Sequence, residues 1–200
     1  MRASESVRSE RRAKAHHAAR ASILDAARLV AVRNGARNLS LRSVAAEAGY
    51  APAALYGYFA SKNELLLALA ADDLSVLARA MKKAAGQKGA EQGLSAAIGI
   101  ALSQLEHAET IVAAASALCP VPGTSDAERQ FNGRLIAALN ALSDASGRRA
   151  ESREGQCDVL LLAATLAGLS VFGRSGRLAA LGYSQRELLE RLAASFSRTL

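Results

Sequence analysis

Basic side chains are concentrated at one end of the 200-residue chain, where their chemistry suits the binding of a polyanion. Residues 1–62 contain 11 Lys and Arg against 4 Asp and Glu, whereas residues 63–200 contain 14 of each. The whole net charge of +7 therefore lies in the first third of the chain. Such a charge distribution favours nucleic acid as the partner of that segment. The alternative is a solvated, disordered basic tail at the extreme N-terminus.

Four basic residues of the opening segment have two possible roles. Arg8, Arg11, Arg12 and Lys14 precede any apolar helical face. They are suited to follow phosphates or a minor groove, as N-terminal arms do in several DNA-binding folds. Simple disorder is the other interpretation, and the sequence leaves both open.

Histidines offer metal or proton chemistry, but their neighbours do not complete a site. His16 and His17 are adjacent, so they face different sides of a helix, and no third ligand is nearby. His107 lies beside Glu106 without a nucleophile or a glycine-rich phosphate loop. We therefore expect no metal, no cofactor and no enzymatic activity.

The cysteines, the N-terminal segment and the longest apolar run together indicate the cellular compartment of the protein. Cys119 and Cys157 lack the spacing of metal ligands, and the polar N-terminus lacks the apolar core of a secretory signal. The longest charge-free run, residues 159–173, is shorter than the about 20 residues of a membrane span. We expect a cytoplasmic protein with two reduced, buried thiols and one fully buried helix in this region.

Composition and the positions of helix-capping and helix-breaking residues predict an all-α chain. Half of the residues are apolar, but only 4% are aromatic, and strand-like alternation is absent. A helical stripe begins at Ile23 and stops at Gly35. Ser40 can cap a short helix that Gly49 ends, and Pro52 can open another that runs to Phe59. Two short helices joined by a tight turn have the lengths of a helix-turn-helix, whose second helix enters the major groove.

The residues of this segment are more specific than its spacing. Over residues 17–77 the chain resembles the TetR family of bacterial transcriptional regulators. The resemblance is carried by residues 23–27 (ILDAA), Asn34-Gly35, residues 40–45 (SLRSVA), Ala48-Gly49 and residues 55–66 (LYGYFASKNELL). It implies an all-α fold with an N-terminal three-helix DNA-binding domain and a C-terminal helical domain for ligand binding and dimerisation. The implied divisions are a basic arm at 1–16, a DNA-binding domain at 17–77 with its helix-turn-helix at about 40–59, and a regulatory domain at 78–200.

The resemblance also assigns roles in DNA binding. Ser40 is expected to cap the second helix and touch a phosphate, Arg42 to reach a phosphate or base edge, and Lys62 to pair with a phosphate. Tyr56 and Tyr58 are expected to contact the backbone or bases, with partial core packing as the alternative for Tyr56 and a solvated charge for Lys62. Removing either Arg42 or Lys62 is expected to weaken operator binding with little effect on stability.

The reading helix departs from the family pattern because it has few hydrogen-bond donors. Ala51 stands where Ser or Thr usually caps, Ala54 replaces another common hydroxyl, and Gly57 replaces a bulky residue. Alanine still meets thymine methyl groups, and glycine allows close backbone approach. With Pro52 and Ala53, these residues complete the expected DNA-binding face, and base selection is expected to depend partly on DNA shape.

The C-terminal helices are expected to hold an effector and a dimer interface. The main interior polar candidates for the pocket are Gln104, His107, Asn132, Asn140 and Thr165. Because these polar groups are few among apolar helices, we expect a largely apolar ligand held by one or two hydrogen bonds. Cys157–Leu181 is expected to form one apolar helix that packs, with the last helix, against a two-fold mate. The interface residues predicted on these helices are Ala164, Gly168, Phe172, Leu188, Leu192 and Phe196. The alternative is that both helices only close the core of a monomer.

The resemblance implies a ligand-responsive repressor that binds a pseudo-palindromic DNA operator as a homodimer and is released by a small, largely apolar effector. One alternative is a regulator controlled by a partner protein without a small ligand. Another is a helical interaction scaffold whose basic end binds acidic partners.

Overall fold

The protein is all-α. In the computed structural model, residues 2–86, 90–107, 110–111, 113–114, 125–146 and 152–197 are described, with only the backbone of residues 2–5, 90–91, 106–107 and 196–197. Among these residues there is no β-strand. The chain divides into two compact units, Met1–Leu69 and Ala70–Leu200.

The first unit is built from α1 (Arg2–Asn34), a 3-10 turn (Ala36–Asn38), α2 (Leu41–Ala48), α3 (Pro52–Leu55) and the start of α4 (Lys62–Gly86). α1 packs against α2, and α2 packs against α3. The core is supplied by one face of each element, including Ile23, Val44, Leu55 and Phe59, all of which are buried. Local signals therefore place the starts of the two short helices as expected.

α1 is not the disordered tail that the sequence left as an alternative, since its helix starts at Arg2 and runs without interruption through residue 16. The side chains of residues 6–18 are all exposed, so burial does not explain this part of the helix. The physical reason is composition. Ala, Arg, Glu and Lys are strong helix formers that need no apolar partner.

The second unit contains the rest of α4, then α5 (Ala90–His107), α6 (Asp126–Ser146), α7 (Arg153–Arg174), α8 (Arg177–Ala180) and α9 (Gln185–Ser197). α5 packs against α6, α7 and α9. Ser125 and Glu128 form a capping box at the start of α6, since the backbone N–H of each residue donates to the side chain of the other, at 3.3 and 3.2 Å.

The single apolar helix predicted over Cys157–Leu181 is wrong at both ends. α7 begins at Arg153, because the Ser152 hydroxyl caps it by accepting from the Gly155 N–H at 3.0 Å. It ends at Arg174, and Gly176, with φ of +68°, turns the chain into the separate short α8. Cys157 is exposed, so the expectation of a buried thiol is also wrong for this residue, while Cys119 lies outside the described residues.

α7 is not buried on all sides within one chain. Its buried face contains Val159, Leu162 and Leu166, whereas Leu161 is 63% exposed. The helix is long and apolar enough to cross a membrane, with a mean hydropathy of 1.6 over 18 residues. That criterion is weak evidence for one helix, since a helix at an apolar protein interface also meets it.

Candidate nucleic-acid interface

α2 is held at its N-terminus by a reciprocal cap. The Ser40 hydroxyl accepts from the Ser43 N–H at 3.1 Å, and the Ser43 hydroxyl accepts from the Ser40 N–H at 3.2 Å. Gly49 ends the helix in the left-handed conformation, with φ of +73°. The predicted capping role of Ser40 is confirmed. Its phosphate contact stays a prediction.

Two basic side chains flank this cap in different ways. Arg42 is exposed in the first turn of α2. Lys62 begins α4 and is half-buried, and its Nζ donates to the Arg37 carbonyl oxygen at 2.6 Å. Lys62 is therefore not simply a solvated charge, because it ties the start of α4 to the 3-10 turn that leads into Ser40. Its ammonium group has three protons, so a phosphate contact remains compatible with this bond.

Two hydrogen bonds cap the start of α4. The Glu64 N–H donates to the Ser61 hydroxyl at 3.1 Å. The Glu64 carboxylate accepts from the Ala60 N–H at 2.6 Å. The result fixes the turn that presents Lys62.

The reading helix is shorter than predicted. α3 ends at Leu55, and the chain continues to Phe59 in tight turns, with the Gly57 N–H donating to Ala54 and the Tyr58 N–H to Leu55. Gly57 disfavours continuation of the helix. Leu55 and Phe59 are buried beneath this segment.

The outer surface of this segment carries the predicted DNA-binding residues. The exposed residues are Ala51, Pro52, Ala53, Ala54, Tyr56 and Gly57. Tyr56 is 62% exposed, so core packing is not its role. Ala51 begins α3 with no side-chain cap, as the sequence indicates. The face is small and apolar apart from the Tyr56 hydroxyl, which suits methyl contacts and close backbone approach.

Tyr58 belongs to a ring cluster that sequence reasoning missed. Its ring stacks on that of His16 of α1, with centroids 4.7 Å apart and planes at 26°. Tyr50 meets Tyr58 edge-on at 6.4 Å. One turn along α1 from His16, the Arg20 guanidinium lies 5.0 Å from the Phe59 ring centroid. The spacing of four between His16 and Arg20 was the available signal, since it places both on one helix face.

The geometry of capped α2, tight turn and exposed α3 is that of a helix-turn-helix, and a comparison with protein families agrees. Residues 23–69 match the family described as bacterial regulatory proteins, tetR family. The matched segment, residues 23–69, is therefore a TetR-family segment. Members of this family are bacterial regulatory proteins, so the helix-turn-helix of this segment is a DNA-binding element of the type that transcriptional regulators use.

Solved structures share the TetR fold over most of the chain. A protein of unknown function from Rhodococcus sp. RHA1 is 24% identical, with a TM-score of 0.72 over 91% of this chain and 95% of that one. A tetR-family regulatory protein from Rhodococcus RHA1 is 17% identical, with a TM-score of 0.64 over 90% and 95%. The regulator FadR from Bacillus subtilis, in complex with stearoyl-CoA, is 19% identical, with a TM-score of 0.63 over 90% and 98%. No match was found among curated proteins.

The polar residues predicted for an effector pocket are mostly not interior. Gln104, Asn140 and Thr165 are exposed, Asn132 is half-buried, and the side chain of His107 lies outside the described residues. The Thr165 hydroxyl donates to the Leu161 carbonyl within its own helix at 2.8 Å. The interior assignment is therefore wrong for three of the five. Helical periodicity placed them on an inner face that the packing leaves outside.

The residues predicted for a dimer interface lie on surfaces that the single chain leaves partly open. Ala164 and Phe172 are exposed, while Gly168, Leu188 and Leu192 are half-buried. The side chain of Phe196 lies outside the described residues. These positions remain a prediction for the assembled protein.

Proposed function

We propose that this protein is a cytoplasmic, ligand-responsive repressor of the TetR family that binds a pseudo-palindromic operator as a homodimer and is released by a small, largely apolar effector. The observation that carries the proposal is a cavity of about 120 Å³ in the second unit. Its described lining is entirely apolar and comes from α4, α5, α6 and α7, with Leu74, Leu105, Leu142 and Leu166 among the contributors. A cavity with such a lining suits the apolar part of a ligand.

A groove beside the cavity provides the size and the polar groups that the cavity lacks. It has a volume of about 410 Å³ and is lined by Asn140, Ser143 and Gln156 among apolar neighbours. Small-molecule sites commonly measure about 300–1,000 Å³ and carry a few polar groups. Leu139 lines both the groove and the cavity. We infer that an effector enters the groove and extends past Leu139 into the cavity. Of the five predicted pocket residues, Asn140 keeps its role in this arrangement.

The chemistry of the effector follows from this lining. Stearoyl-CoA, bound by the Bacillus subtilis FadR of similar fold, has a long acyl chain and a charged headgroup. The acyl chain is the part that an apolar cavity accepts. We therefore expect the apolar portion of the effector, of fatty-acyl type, to be the determinant of binding.

In this proposal, α4 couples effector binding to DNA binding. This helix contributes Lys62 to the first unit and Leu74, Leu77 and Met81 to the cavity. An effector shifts a regulator between states only through different affinities for them. In our proposal, the effector favours a placement of α4 in which the two reading helices of the dimer no longer match the operator, and the promoter becomes free.

The dimer is supported by an apolar face on α7. Leu160, Leu161, Val171 and Phe172 are each more than 40% exposed in the single chain. Contiguous exposed apolar surface of this kind marks protein interfaces. A second copy of α7 and α9 would cover it in a four-helix bundle.

The test begins with a gel shift on the DNA upstream of the protein's own gene, followed by a melting-temperature screen with fatty acids and acyl thioesters. The expected result is sequence-selective binding, and release by the compound that raises the melting temperature. Ala101→Leu fills the cavity that Ala101 lines. This variant should bind DNA normally but no longer respond. Selective binding without any responsive compound would favour control by a partner protein, and binding without sequence selectivity would favour an interaction scaffold.

A further inference from the structure

We propose that the N-terminal half of α1 is a second DNA-binding surface, on which Arg8 and Arg12 contact backbone phosphates that flank the segment faced by α2 and α3. The proposal rests on DNA binding by this regulator and adds a specific face of one helix to it. Neither residue lies within the segment that matches the family, which begins at residue 23.

The first observation is that this half of α1 is ordered as helix without contributing to the core. Residues 6–18 are exposed, and burial along α1 begins at Ile23. The segment contributes four of the chain's basic residues between positions 8 and 14. Its exposure leaves these charges available to a ligand.

The second observation shows which face of α1 is turned toward the turn after the reading helix. His16 stacks on Tyr58, and Arg20 lies over Phe59, so the face that carries residues 16 and 20 is turned toward the turn after the reading helix. Arg12 and Arg8 continue the same series in steps of four. At 3.6 residues per turn they lie only about 40° and 80° around the helix from His16.

The other charged residues between positions 6 and 15 lie farther around the helix from His16 than Arg8 and Arg12 do. Relative to His16, Arg11 is rotated by about 140°, Lys14 by about 160° and Glu10 by about 120°. Two pairs of equal charge therefore differ in their mean distance around the helix from the side of Tyr58: Arg8 with Arg12 lie nearer to it, and Arg11 with Lys14 lie farther from it.

The spacing of Arg12 and Arg8 along α1 suits contacts with phosphates of duplex DNA. With a rise of 1.5 Å per residue, Arg12 and Arg8 lie about 6 and 12 Å beyond His16. Duplex DNA carries one phosphate charge per about 1.7 Å of axis, so a stretch of 12 Å presents about seven phosphates. Two guanidinium groups on long side chains suit this target, because Arg binds phosphate with two donors at once. Such contacts add affinity without reading sequence.

The experiment compares two double variants of the full chain that remove the same charge. Arg8→Ala/Arg12→Ala removes the proposed contacts, and Arg11→Ala/Lys14→Ala is the matched control. The probe is a duplex enriched from a random-sequence library by the wild-type protein, with flanks of ten base pairs. Affinity is measured across a range of salt concentrations, and phosphate-ethylation interference locates the contacted phosphates. Thermal unfolding is expected to be alike for all three proteins, since all four side chains are exposed.

The expected result is a salt slope reduced by about 1.8 per subunit for the Arg8/Arg12 pair, from about 0.9 per phosphate, with the control close to wild type. Interference should disappear at the outermost phosphates. Equal slopes for the two pairs, or lost interference only at central phosphates, would overturn the inference while leaving DNA binding intact. Failure of the wild-type protein to enrich any duplex would instead overturn DNA binding, and the inference with it.

Discussion

Replacing Gly168 by Leu tests the proposed dimer interface, because the single chain has room for the new side chain. A Cβ at Gly168 meets no heavy atom within 4 Å apart from its own helix backbone and chain neighbours. Gly168 lies one turn from Ala164 and from Phe172, both of them exposed on α7. A larger side chain here should therefore be tolerated by the monomer and resisted only by a partner helix.

The expected free-energy change differs between the fold of the monomer and the association of the dimer. Within the monomer, leucine in a helix interior is about 0.8 kcal/mol more favourable than glycine, so the fold should gain stability. Overpacking a close helix contact costs about 1–3 kcal/mol per site. A two-fold interface contains the site twice, so the dimer loses about 2–6 kcal/mol. That loss weakens dimerisation by about 30-fold to 10⁴-fold, at tenfold per 1.4 kcal/mol.

Sedimentation velocity at micromolar concentration measures the outcome, with operator affinity as a second readout. Gly133→Leu is the matched control, since Gly133 is an exposed glycine within α6 and a Cβ there also meets no neighbouring atom. We expect a dimer for wild type and control, and a monomer with weakened DNA binding for Gly168→Leu. A wild-type monomer, or a Gly168→Leu protein that dimerises as tightly as the control, would refute the placement of α7 in the interface.

Three further predictions concern the DNA-binding domain. Ser40→Ala should lower the free energy of unfolding by about 0.5–2 kcal/mol, because the cap of α2 is lost, and chemical denaturation measures this. Ala51→Ser should raise it by about 1 kcal/mol by adding the missing cap of α3; an unchanged denaturation midpoint would show that the new hydroxyl does not reach the helix. Arg42→Ala and Lys62→Ala should each reduce the salt slope of DNA binding by about 0.9 per subunit. Only Lys62→Ala should also cost about 1 kcal/mol of stability, because it loses the bond to the Arg37 carbonyl. Equal melting temperatures for these two variants would contradict that role.

The helix-turn-helix could be predicted from sequence because its signals act over a few residues. Ser40, Gly49 and Pro52 each determine the backbone within one helical turn of themselves, and the structure has α2 and α3 where these residues place them. The end of α3 was less predictable. Apolar spacing suggested helix to Phe59, but tight turns after Leu55 bury the same residue without regular helix.

The start of α1 shows the limit of reasoning from apolar periodicity. The apolar stripe that begins at Ile23 left disorder open for the basic residues before it, yet the helix begins at Arg2. Intrinsic propensity was the relevant signal, since strong helix formers dominate this segment. What the sequence could not show is that His16 would reach Tyr58, 42 positions away, because such a contact depends on how α1 packs on the rest of the domain.

The sequence alone determined the all-α class, the starts of the two short helices and the concentration of positive charge in the first third of the chain, because composition, caps and charge are properties of neighbouring residues. Only the tertiary structure decided which faces are covered. It moved Gln104, Asn140 and Thr165 to the surface, left one apolar face of α7 open, and formed a cavity whose described lining is apolar. The physical reason is that an apolar helix looks the same in sequence whether its neighbour is the core, a ligand or another chain. That distinction is made only when the helices pack.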